Sequence, residues 1–107
     1  MKTTIITILL LFVFLVGCTN TQTLDSIEDA KEEIVKAQEK IQESEQDGKE
    51  VDLAKERLER AKTKLKESNQ QLELGNTQKA DSLAEQSKDL AAESRMKYIG
   101  KTQEDFE

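Results

Sequence analysis

Hydrophobic residues fall along this chain in two rhythms, and the change from one to the other divides it. From Ile5 to Val16 the run is apolar, with only Thr7 interrupting it. After Thr23 the apolar residues return at alternating spacings of three and four, which places them on one helix face and predicts that this face is buried against other helices. The first such face is Ile27, Ala30, Ile34, Ala37 and Ile41. Asp25 or Ser26 stands where a helix cap belongs, and Glu28 and Asp29 occupy a first turn where the helix dipole favours acids.

The register then breaks twice. Carried past Ser44 it would put Gly48 and Lys55 on the seam, yet the apolar residues resume at Val51, Ala54, Leu58, Ala61, Leu65 and Leu72. A slip at Gln46-Asp47-Gly48 predicts a chain reversal, with Gly48 in the left-handed conformation that ends helices. One long coiled coil with a stammer at the same place is the alternative. The second break is Leu74-Gly75-Asn76-Thr77, after which the face becomes Ala80, Leu83, Ser87, Leu90 and Ser94, flanked by Ala84 and Ala91. The pattern predicts an all-α fold: an antiparallel three-helix bundle, or a helical hairpin or coiled coil, after an N-terminal signal helix. The bundle is expected over residues 24–98, with helices at about 25–46, 50–74 and 77–98, and residues 99–107 are expected to fray.

Composition sharpens this picture. Proline and tryptophan are absent, and Tyr98 and Phe106 are the aromatics outside the apolar leader. Branched residues alternate with Ala on the first two seams, as in Ile34-Ala37-Ile41 and Ala54-Leu58-Ala61-Leu65, which predicts closely spaced helix axes. With so few large side chains, ordering entropy of about 1.5 kcal/mol per residue nearly cancels the gain from burial, so marginal stability or help from a partner is expected.

The net charge is −6, and no basic patch offsets it, which argues against nucleic acid and against anionic headgroups as electrostatic partners. Sign alternates along the chain: Asp25 to Asp47 carries nine acids against three lysines, and Lys49 to Leu72 carries seven bases against five acids. The absence of histidine and of a Gly-rich phosphate loop removes most nucleophilic, metal and nucleotide schemes, so no enzymatic activity, metal or cofactor is expected. The Glu28-Asp29-Glu32-Glu33 cluster belongs on the wet side of its helix, and Asp47-Gly48-Lys49-Glu50-Val51-Asp52 lacks the ligand spacing of a calcium loop.

The leader carries the sharpest chemistry. About a dozen apolar residues rise only ~18 Å as a helix, short of the ~30 Å hydrocarbon core. The run ends in Leu15-Val16-Gly17-Cys18, which holds the single cysteine and resembles the lipobox of a prokaryotic lipoprotein signal peptide. That resemblance implies that residues 1–17 are a signal peptide, with Leu15, Val16 and Gly17 read by the signal peptidase. It also implies that Cys18 is the first mature residue and carries a diacylglycerol and an N-acyl chain, and that residues 18–23 form a short tether. Each buried methylene contributes about 0.8 kcal/mol, so two or three chains hold firmly. Thr19, where some members of that family carry an inner-membrane Asp, implies the outer membrane of a Gram-negative cell or otherwise the outer leaflet of the cell membrane. An uncleaved N-terminal helix is the alternative, and one cysteine cannot form an intrachain disulfide.

Leu58-x-x-Ala61-x-x-x-Leu65, the Gly75-Asn76 turn, Ala80-x-x-Leu83-Ala84 and Leu90-Ala91 together resemble small envelope lipoproteins with an Ala-rich helical domain of unknown function, over about residues 26–95. Ser87 and Ser94 stand where those domains usually have Ala, and Val51-Asp52 where they often have Pro. The resemblance implies a membrane-anchored structural or protein-interaction module of the cell envelope, whose partner is another envelope protein or a second copy. The alternative is a helical binding module for a peptide or apolar ligand at the membrane surface, which needs an exposed apolar groove.

Overall fold

The computed structural model describes residues 2–106, with side chains from Thr23 onward. Three helices make an all-α bundle: α1 (Lys2–Gln46), α2 (Asp52–Glu73) and α3 (Thr77–Met96), followed by a single 3-10 turn at Gln103–Phe106. The reversals fall at the two glycine breaks, so the single-coiled-coil alternative is excluded. Gly48 and Gly75 have φ of 79° and 83°. At each, the glycine N–H reaches back three residues and the next N–H reaches back five: Gly48 to Glu45 and Lys49 to Ser44, then Gly75 to Leu72 and Asn76 to Gln71. These paired bonds satisfy the last carbonyls of α1 and α2 as the chain turns.

At Gly75 an added Cβ would meet nothing within 4 Å, so only the backbone conformation resists a side chain there. Gly75→Ala is expected to cost about 1–2 kcal/mol, the penalty of a left-handed L-residue, and Gly75→Asn less. A lowered urea midpoint at unchanged slope, graded in that order, checks this.

The two spacings select most of the core, but Leu65, Leu72 and Leu90 of the expected faces are only partly buried, and Leu53, which lies on none of them, is buried. Ile27, Ala30, Ile34, Ala37 and Ile41 of α1, Val51 before α2, Ala54, Leu58 and Ala61 of α2, and Ala80, Leu83, Ala84 and Ala91 of α3 are all buried. Fully burying one branched side chain stabilises by about 1.5–3 kcal/mol. Ser44, Ser68, Ser87 and Ser94 lie on the same seams and are as deeply buried as the alanines.

Three of these serines join α2 to α3. Ser68 Oγ donates to the Ala80 carbonyl at 2.5 Å, Ser87 Oγ to the Ala61 carbonyl at 2.6 Å, and Ser94 Oγ to the Ala54 carbonyl at 2.8 Å. From one bond to the next the contact moves seven residues back along α2 and seven forward along α3. The pair is therefore antiparallel in strict heptad register, with a serine facing an alanine in every layer. A hydroxyl reaches the opposite backbone only where both positions are small, so these bonds mark how closely the two axes approach.

The three faces are not shared equally, as a symmetric bundle would share them. α3 packs along both α2 and α1, whereas α1 and α2 touch each other far less. The physical reason is the distribution of small residues. α3 carries Ala80, Ser87 and Ser94 toward α2, and Ala84 and Ala91 lie on the side that carries Asp81 and Arg95. Both of those charged residues bond to α1, Asp81 accepting from Ser26 Oγ at 2.5 Å and Arg95 donating to Glu33 at 3.0 and 3.2 Å. α1 and α2 present lysines and branched residues to each other.

Two expectations are corrected. The first helix does not begin at Asp25: α1 is continuous from Lys2, and its 45 residues at about 1.5 Å each account for the 69 Å long dimension of the molecule. No proline or turn signal interrupts Cys18 to Leu24, so nothing caps a helix there, and Ser26 bonds to α3. The tail also does not fray. Gly100 N–H donates to the Glu50 carbonyl at 2.7 Å, Ile99 and Tyr98 pack against the core, and the Phe106 ring lies 5.0 Å from that of Tyr98. The Arg57 guanidinium lies over the Tyr98 ring, 4.8 Å from its centroid. Within the turn the Thr102 backbone N–H donates to Asp105, and that bond holds the Asp105 carboxyl below its usual pKa.

Candidate functional site

Leu15, Val16, Gly17 and Cys18 lie on the helical backbone of α1, and their side chains fall outside the described residues. What the structure does place is their distance from the bundle. Thr23, buried at the start of the core, follows Cys18 by five residues, about 8 Å along a helix axis. The α2–α3 turn lies at this same end, because α1 and α3 run parallel and Ser26 meets Asp81 near their starts. The opposite end carries the α1–α2 turn and the folded tail. Among the described residues no helix is long and apolar enough to cross a membrane.

The carboxylate cluster is solvated, apart from one member. Glu33 is largely buried by the Arg95 guanidinium from α3, and Lys36 lies 3.7 Å and 3.9 Å from Glu33 and Glu32. Among the described residues no group of His, Cys, Asp and Glu is placed to hold a metal ion. Through Glu33 and Arg95 the cluster links α1 to α3.

Among the described residues, one concave feature of the bundle lies between α1 and α2, with no residue of α3 in its lining. This groove has a volume of ≈ 760 Å³ and is bounded by Lys31, Ile34 and Val35 of α1 and by Lys62, Leu65, Lys66, Asn69, Gln70 and Glu73 of α2. Ile34 and Leu65 form its apolar floor, Val35 is half exposed on one wall, and three lysines stand on the rim. Toward the distal end Lys55 of α2 pairs with Glu45 of α1 at 3.0 Å.

Sequence reasoning did not single out this groove. Its signal is a second, fainter stripe on α1: Leu24, Lys31 and Val35 lie beside the Ile/Ala seam, and Leu24 and Val35 are two of the exposed large hydrophobics. On α2 the matching positions are lysines and amides, which read as an ordinary wet face until the packing shows what they border.

No family model matches the chain, and no curated protein and no solved structure is similar to it.

Proposed function

We propose that this chain is a lipid-anchored helical module of a prokaryotic cell envelope, of the class of small lipoproteins with an Ala-rich domain. Leu15, Val16 and Gly17 serve as the signal-peptidase recognition residues. Cys18 becomes the acylated first residue, and the bundle works by contact with another envelope protein or a second copy, without catalysis, metal or nucleic acid. The membrane is the outer one of a Gram-negative cell, or otherwise the outer leaflet of the cell membrane.

The observation that carries this reading is the short, helical passage from Cys18 into the bundle. Cleavage before Cys18 leaves every core residue from Ile27 onward in place. An anchor at Cys18 would then hold the bundle within about 8 Å of the lipid surface, upright if the passage stays helical.

Intact mass of the protein expressed in a bacterium, beside its Cys18→Ser variant, tests the proposal. The expected wild-type mass begins at Cys18 and includes acyl chains, and the variant keeps its leader and gains none. Full-length, unacylated wild-type protein would remove the anchor.

A second reading, a helical module binding a peptide or apolar ligand at the membrane surface, is supported by the open α1–α2 groove, since the fold leaves there the exposed apolar concavity that such a role requires.

A further inference from the structure

The α1–α2 pair has two sides. One is filled by α3; the other is the groove, a channel between two helices with an apolar floor of Ile34 and Leu65. A channel of this shape accepts the ridge of one more helix, as α3 does on the opposite side. The groove wall from Lys62 to Glu73 runs about 16 Å along α2, enough for some three turns of such a helix.

The rim decides which helix. Lys31, Lys62 and Lys66 line the groove against the single acid Glu73, in a chain whose net charge is −6. Lys31 and Lys62 pair with Glu28 at 3.4 Å and Glu59 at 3.2 Å, both carboxylates being 72 % exposed and standing outside the groove wall. Such pairs exchange readily for another acid. Lys66 makes no ion pair among the described residues. A second copy docking groove to groove about a two-fold axis would set these lysines against themselves. A flat lipid surface does not enter a channel that runs along the helices.

We infer that the α1–α2 groove is the docking site for an amphipathic helix of a partner protein, its apolar ridge on Ile34, Val35 and Leu65 and its flanking acids on Lys31, Lys62 and Lys66. This deepens the binding-module reading and rests on it. The partner completes a four-helix arrangement, and electrostatic complementarity sets which helices are admitted.

The probe is a pair of designed helical peptides of about 20 residues, ~30 Å long, with leucines at spacings of three and four. One has glutamates flanking the leucines and the other has lysines, and both carry a photo-crosslinking residue. The full-length protein, reconstituted in neutral phosphatidylcholine vesicles, is irradiated with each, and the linked residues are mapped by mass spectrometry. The glutamate peptide is expected to mark groove residues about tenfold more efficiently than the lysine peptide. In the Lys62→Glu/Lys66→Glu variant, which alters two solvated side chains, the preference should reverse.

Equal marking of the groove by both peptides, or a preference that survives the reversal, overturns the acidic partner while leaving a binding groove. Marking by neither peptide overturns both readings. With the photo-crosslinking residue placed instead at Asn69 of the protein, links from groove to groove that neither peptide suppresses would assign the groove to a second copy and also overturn the inference.

Discussion

Replacing Leu58 by alanine is expected to destabilise the bundle by about 2–5 kcal/mol, the range for a core leucine whose surroundings relax only partly. Leu58 is 4 % exposed and sits in the cluster formed by Ile34, Ile41, Val51, Ala54, Ala61 and Ala91. The alanines in that cluster already stand at close helix spacing, so little can move in to refill the space. A domain of this size holds roughly 0.05–0.15 kcal/mol per residue, some 4–12 kcal/mol for the bundle, so the substitution removes a large share of its stability. Urea unfolding followed by helical circular dichroism measures the loss. Leu65→Ala, on the same helix but only partly buried at the groove, should cost clearly less. Equal losses at the two positions would show that Leu58 is not the more enclosed.

The opposite change one turn away tests the helix spacing. Ala61→Leu adds bulk at a position with no exposed surface, whose own carbonyl receives the Ser87 hydroxyl at 2.6 Å. Overpacking of this kind costs about 1–3 kcal/mol through forced rotamers and backbone shifts. Here the shift must also part α2 from α3 and strain a ladder of three hydroxyl-to-carbonyl bonds, each contributing about 0.5–1.5 kcal/mol. A fall of several kcal/mol is expected. Ser87→Ala is the control: it keeps the small volume, and the Ala61 carbonyl retains its place in the α2 ladder, so the loss should stay near 1 kcal/mol. If Ala61→Leu were as mild as Ser87→Ala, the axes would not be as close as the serine bonds require.

The same serines show how far the sequence could be read. Ser87 and Ser94 fall on the third seam by spacing alone, and burial there follows from the heptad. That their hydroxyls bond across to α2 does not follow, because a serine in a helix can equally bond its own preceding turn. Which carbonyl it meets depends on the alignment of two helices, and that alignment is set jointly by the Gly75 turn and by every small pair along the interface. The tail shows the same limit. Gly100, polar residues and three acids in a short stretch carry no periodic signal, yet Gly100 bonds the carbonyl of Glu50, far away along the chain, and Phe106 folds back onto Tyr98.

For the candidate sites the division is different. Leu15-Val16-Gly17-Cys18 is readable because it is a contiguous pattern whose meaning lies in residue order, and folding adds only its distance from the core. The groove has no such pattern: Lys31 and Val35 belong to one helix, Lys62, Leu65 and Lys66 to another, and each looks like part of a solvated face.

Periodicity by itself determined that this chain is helical, where its two reversals fall and most of the residues that are buried, because those properties arise from the local spacing of apolar side chains and from glycine's access to left-handed backbone. Only the tertiary structure decided that α3 is the shared partner and that α1 and α2 border a lysine-rimmed groove. Helix separation depends on the smallest residues meeting across an interface, and a linear pattern names the residues on each face without saying which faces meet.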